Sequence, residues 1–124
     1  MKTIQTPNAP QAIGPYSQAV EVNGFIFCSG QIGIDPQTNM LVDGIEKQTQ
    51  QVLNNIDGIL KSVGLDKTCI VKTTVFLKSI DDFAVMNNIY ANFFGDHKPA
   101  RSTIEVSNLP KKALIEIEII AKKK

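Results

Sequence analysis

The stretch from Ala113 to Ala121 alternates without a break, with Ile115, Ile117, Ile119 and Ala121 on one side of an extended chain and Leu114, Glu116, Glu118 and Ile120 on the other. Such a strand must press its isoleucine face onto an apolar layer. Its second face mixes carboxylates with apolar groups and suits neither a dry core nor open water. The rest of the chain has to supply a layer for the first face and a cover for the second.

Changes of apolar periodicity outline that layer. Residues 16–22 and 25–34 read as strands, and Asn23-Gly24 between them offers the two left-handed residues of a tight type I′ hairpin. Asp35-Pro36 stops the second strand. Residues 45–63 read as a helix on the spacing of Val52, Ile56, Ile59, Leu60 and Val63, with Gly64 as its stop and Gly58 as a weak point. The β-branched run through Ile70, Val71, Thr73, Thr74 and Val75 predicts a central strand over 69–78. Ser79, Asp81 and Asp82 open a second helix that runs to Phe94, with Phe83, Met86, Tyr90 and Phe93 as its core stripe and Gly95 as its end. A short strand over 102–106 and a turn over 108–112 lead to the terminal strand. The order β-β-α-β-α-β-β predicts an α+β sandwich, a mostly antiparallel sheet with two helices on one face, in a single domain spanning 1–124. The bare second face is most economically covered by further copies of the chain.

A formal net charge of +1 creates no field that would draw nucleic acid or anionic lipid, and Lys122, Lys123 and Lys124 form the only basic run. Near the N-terminus, Gln5, Thr6, Pro7, Asn8 and Pro10 interrupt the apolar stretch that a signal peptide needs, so a cytoplasmic location is expected. Cys28, Cys69 and the single His97 are widely spaced, which argues for reduced thiols and against a zinc site. No Gly-rich phosphate loop, nucleophile elbow or histidine-paired nucleophile can be assembled.

Arg101 follows Pro99 and has no acidic residue beside it in sequence, so it reads either as an ordinary surface arginine or as a fork of donors for a carboxylate across space. Glu116, between Ile115 and Ile117, reads as an exposed strand carboxylate or as one partly desolvated and raised in pKa for proton transfer; Glu118 shares its facing and is not separated from it by periodicity. Ser29-Gly30-Gln31 interrupts an apolar strand, as a β-bulge or as a place where a ligand meets main-chain donors. Tyr16, after the Gly14-Pro15 turn, and Asn87, off the main stripe of the second helix, are open to structural or ligand roles.

Four segments together resemble the Rid/YjgF family, and within it the reactive intermediate imine deaminase A group. They are Ile13-Gly14-Pro15-Tyr16-Ser17-Gln18-Ala19, Ser29-Gly30-Gln31-Ile32, Val71-Lys72-Thr73-Thr74-Val75-Phe76-Leu77, and Pro99-Ala100-Arg101-Ser102 through Ile115-Glu116-Ile117. The resemblance implies a chorismate-mutase-like fold, a homotrimer with clefts between subunits, and cofactor-free hydrolysis of 2-imino acids, formed from 2-aminoacrylate-type enamines, to 2-keto acids and ammonia. It implies that Arg101 binds the substrate carboxylate and that Glu116 positions or activates water. Tyr16, Ser29, Gly30 and Asn87 match further substrate-binding positions, and Thr103 stands at a cleft position where the family often has cysteine. A carboxylate-sensing regulator without turnover is the alternative, and a ribonuclease or translation inhibitor the third reading.

Overall fold

The computed structural model describes residues 1–124. In chain order the elements are β1 (Lys2–Ile4), β2 (Ala19–Val22), β3 (Phe25–Gln31), β4 (Ile34–Asp35), β5 (Met40–Leu41), α1 (Gly44–Lys61), β6 (Ile70–Leu77), α2 (Phe83–Phe94), β7 (Ala100–Glu105) and β8 (Ile115–Lys122). Six strands form one sheet in the order β1-β2-β3-β8-β6-β7, while β4 and β5 make a separate small hairpin. Every pairing in the large sheet is antiparallel except β6 with β7. The α+β class and the mostly antiparallel sheet therefore match the expectation from sequence.

The last strand in sequence lies in the middle of the sheet, between β3 and β6. Its Ile115, Ile117, Ile119 and Ala121 are all buried, with Ile26 and Cys28 of β3 on one flank and Ile70, Val75 and Leu77 of β6 on the other. The two helices close this face through Val52, Leu53, Ile56, Ile59 and Leu60 of α1 and Met86, Tyr90 and Phe94 of α2. Each fully buried isoleucine or leucine contributes roughly 2 to 3 kcal/mol. On the opposite face, Phe25, Phe27 and Ile104 remain exposed beside Glu118, Thr74 and Lys72.

Asn23 and Gly24 take φ values of 52° and 79°, and Val22 pairs with Phe25 across them, which is the tight hairpin expected. Several details differ from the sequence reading. Residues 16–18 are not strand, because the Gln18 side chain is buried and ties the chain to Thr6, Ala9 and Pro10. β3 ends at Gln31, and Ile34 pairs instead with Leu41. β1 has only three residues and gains its order from pairing with β2. Ser79 caps a 3₁₀ turn, Ile80–Asp82, that precedes α2. In α2, Met86 and Tyr90 are buried as the stripe predicts, but the third buried place belongs to Phe94, whereas Phe93 is only partly covered and Phe83 is exposed. The buried face of α2 thus keeps the centre of the stripe read in sequence and departs from it at both ends.

Gly58 is a packing requirement. A Cβ there would lie 2.5 Å from the Asn8 carbonyl oxygen, where the N-terminal arm crosses α1. In an unobstructed helix, glycine to alanine gains about 1 kcal/mol. Here Gly58→Ala is expected to reverse that sign and cost on the order of 1 to 3 kcal/mol by overpacking, seen as a lower midpoint in thermal or urea unfolding. An unchanged or raised midpoint would show that the arm does not rest on the helix.

Candidate active site

The β3–β8 pairing slips between Cys28 and Gln31, so Ser29 and Gly30 form a bulge beside Glu116. The Glu116 side chain lies directly over Gly30, and any Cβ at position 30 would collide with its carboxylate. Glycine at 30 thus makes the space that Glu116 occupies. That carboxylate has neither a cationic nor a hydrogen-bonding partner within the chain. Burial, and secondarily the charge of Glu118, raise its pKa above the usual glutamate value.

Glu116, Gly30 and Tyr16 line one cavity of about 420 Å³, together with Gln18, Gln31 and Lys111. Tyr16 is 56% exposed at its rim. Ser29 is less available than its sequence suggested. Its N–H donates to the Gln18 carbonyl at 2.9 Å and its hydroxyl to the Ser17 carbonyl at 2.6 Å, so its donors are spent on fixing the turn that carries Tyr16.

Arg101 lies elsewhere. In the parallel β6–β7 register it stands opposite Thr73, whose side chain is buried on the helix face of the sheet. Glu116 stands opposite Phe76, on the bare face. The guanidinium donates to Asn87 Oδ1 of α2 at 2.8 Å, and its carbon sits 4.7 Å from the Tyr90 ring centroid and 5.5 Å from that of Phe83. No carboxylate pairs with it. Arg101 and Asn87 border a second cavity, of about 350 Å³, with Tyr90, His97, Lys98 and Pro99. Thr103, two residues along the same face, keeps its hydroxyl oxygen buried and unpartnered.

The residues singled out in sequence thus fall into two groups on opposite faces of one chain: Tyr16, Ser29, Gly30 and Glu116 on one side, and Asn87, Arg101 and Thr103 on the other. Lys111 was not foreseen. It takes φ 56°, unusual for a residue with a side chain, in the turn before β8, and nothing in the periodicity marks it. Cys28 is buried with its thiol pushed up to about 12, by desolvation first and by Glu118 second, so it stays protonated and inert. No group of three or more histidine, cysteine or acidic side chains converges anywhere. No helix is long and apolar enough to cross a membrane.

The profile of the endoribonuclease L-PSP family matches residues 6–123. The chain belongs to this family, also known as Rid/YjgF. It is 54% identical to a RutC family protein of Pyrococcus horikoshii, over 98% of each chain. It is 48% identical to the 2-iminobutanoate/2-iminopropanoate deaminase of Salmonella typhimurium, over 97% of this chain and 96% of that one. Its fold superposes on the crystal structure of E. coli TdcF with bound serine at a TM-score of 0.96, with 40% identity over the whole of both chains. Relatives in this family thus include proteins named as imine deaminases.

A raised carboxyl pKa has a definite sign in stability. Between the ordinary glutamate pKa and the raised folded value, the folded chain holds more proton than the unfolded one, so this group's contribution weakens as pH rises through that window. Glu116→Gln is therefore expected to unfold at a higher temperature than wild type at neutral pH, with the difference vanishing below the normal glutamate range. Melting curves across pH test this, and a variant less stable at neutral pH would show that the carboxylate is satisfied rather than strained.

Proposed function

We propose that this protein hydrolyses reactive 2-imino acids, derived from 2-aminoacrylate-type enamines, to 2-keto acids and ammonia. The observation that carries this reading is Arg101: a guanidinium at a cavity, oriented by Asn87 and two aromatic rings, with no carboxylate of its own. A planar fork of donors left unpaired in this way suits a small carboxylate ligand. The Salmonella relative named as an imine deaminase and the TdcF structure with bound serine, itself a carboxylate, support the same ligand chemistry.

An imine next to a carboxylate is already electrophilic, so it needs holding, proton transfer and water, and no cofactor. Arg101 grips the carboxylate. Glu116, its pKa raised toward neutrality, accepts a proton as water adds to the imine carbon, and returns one to nitrogen as the carbinolamine expels ammonia. The oxygen of water becomes the keto oxygen and the balance is one imine plus one water to one ketone plus one ammonia.

Because Arg101 and Glu116 lie on opposite faces of the sheet, the same reading has a second copy bring its Glu116 face to the Arg101 side of the first. A cyclic homotrimer has this head-to-tail geometry and would also cover Phe25, Phe27 and Ile104. RNA cleavage, the activity in the family's description, is less well served. The net charge is +1, and the only histidine is bonded to the Ile70 carbonyl.

Arg101→Ala should lower kcat/KM for freshly generated 2-iminobutanoate by roughly a hundredfold, the loss of about 3 kcal/mol from a charge-assisted contact, and Glu116→Gln by about a hundredfold or more, the usual contribution of a positioned proton-transfer group. Mixed in equal amounts and assembled together, the two inactive variants should recover about a quarter of wild-type activity, since that share of shared clefts would contain both intact groups. Release of keto acid no faster than the spontaneous rate from wild type would reject the activity, and binding without turnover would favour the regulatory alternative. Absence of complementation would reject the shared cleft.

A further inference from the structure

β7 is the edge of the sheet, so Arg101 has a neighbouring strand on one side only. Its long side chain is not fenced in by a second strand, and no carboxylate anchors it. An ion pair would fix the arginine but would also occupy the donors that a ligand needs. What stands in that place is an aromatic face. The Tyr90 ring lies 4.7 Å from the guanidinium carbon, and its hydroxyl is 2.8 Å from Thr73 Oγ1. Thr73 is the residue directly opposite Arg101 in the β6–β7 register. The arginine, the ring beneath it and the hydroxyl that fixes the ring therefore form a closed loop through the sheet.

This loop is buried where it must be rigid. Tyr90 is 8% exposed and Thr73 1%, and Phe94 supports the tyrosine with ring centroids 4.6 Å apart. An aromatic face attracts a cation without consuming its N–H donors. Only one donor goes to Asn87, which leaves most of the five-donor fork free.

We infer that Tyr90 is a positioning residue for Arg101, its ring serving as a neutral platform and its bond to Thr73 locking that platform, so that the guanidinium is held ready for a carboxylate while remaining uncommitted. This rests on the reading of Arg101 as the carboxylate-binding group, and it assigns Tyr90 a role beyond core packing.

The test uses the whole protein, with 2-oxobutanoate as the binding probe in calorimetry and 2-iminobutanoate as the substrate. Tyr90→Leu removes the platform and should weaken 2-oxobutanoate about three- to thirtyfold. KM should rise with kcat within about twofold of wild type, because contact to a spectator carboxylate is the same in ground and transition states. Tyr90→Phe and Thr73→Val each break only the lock and should weaken the probe about twofold, with no further loss in the double variant because both remove the same bond. Melting curves establish that each variant is folded. If Tyr90→Leu does not fold, the other pair decides, and two variants that bind like wild type overturn the inference. A folded Tyr90→Leu with wild-type binding and KM overturns it as well. If Arg101→Ala also binds 2-oxobutanoate like wild type, the carboxylate role of Arg101 falls and takes this inference with it. A loss in Arg101→Ala alone leaves that role standing and rejects only the part given to Tyr90.

Discussion

The packing of β8 onto α1, within the apolar cluster that α2 completes, governs the rest of the molecule. Its isoleucines have no exposed alternative, and a strand shifted by one residue would place Glu116 and Glu118 in the apolar layer. Register is therefore fixed by the cost of burying charge. The same alternation then dictates that Glu116 faces away from the helices, where the bulge at Ser29 and Gly30 leaves a hollow for it. Core packing and site geometry are two consequences of one two-faced strand.

The sheet also keeps the two reactive charges apart. Were Arg101 and Glu116 on one face of a single chain, they would attract each other, Arg101 would lose its free donors, and the carboxyl pKa would be pulled down rather than raised. Placed on opposite faces, the cation rests on aromatic rings and the carboxylate stays without a partner. Each group carries unspent interaction energy. In the proposed assembly, a ligand carrying both a carboxylate and an imine nitrogen would satisfy the two together.

Some of this was legible along the chain. Asn23-Gly24 identified its hairpin because the turn depends on two adjacent left-handed residues, a strictly local demand. The terminal strand declared its faces through a period of two. By contrast, β1 and the β4–β5 hairpin are too short to show a period and exist only through their partners. The α2 stripe holds at Met86 and Tyr90 and fails at its ends for a related reason. Phe83 and Phe94 are equally apolar, and only the position of the sheet decides that Phe94 is buried while Phe83 lies open beneath Arg101. Gly58 likewise reads as a helix weakness along the chain, whereas in the fold the arm carrying Asn8 crosses it and requires glycine there.

Among the site residues, local sequence signalled which groups were unusual: an arginine with no acidic neighbour, a glutamate between isoleucines, a glycine inside a strand. The two faces of β8, the class of the fold and the chemical types available can all be read along the chain, because periodicity and side-chain chemistry are properties of neighbouring residues. It is the folded arrangement that makes Ser29 spend its donors on the Tyr16 turn, lays Tyr90 under the guanidinium, and sets Arg101 and Glu116 on opposite sides of the sheet. Those facts depend on strand order and crossovers between residues far apart in the chain, and no local pattern encodes them.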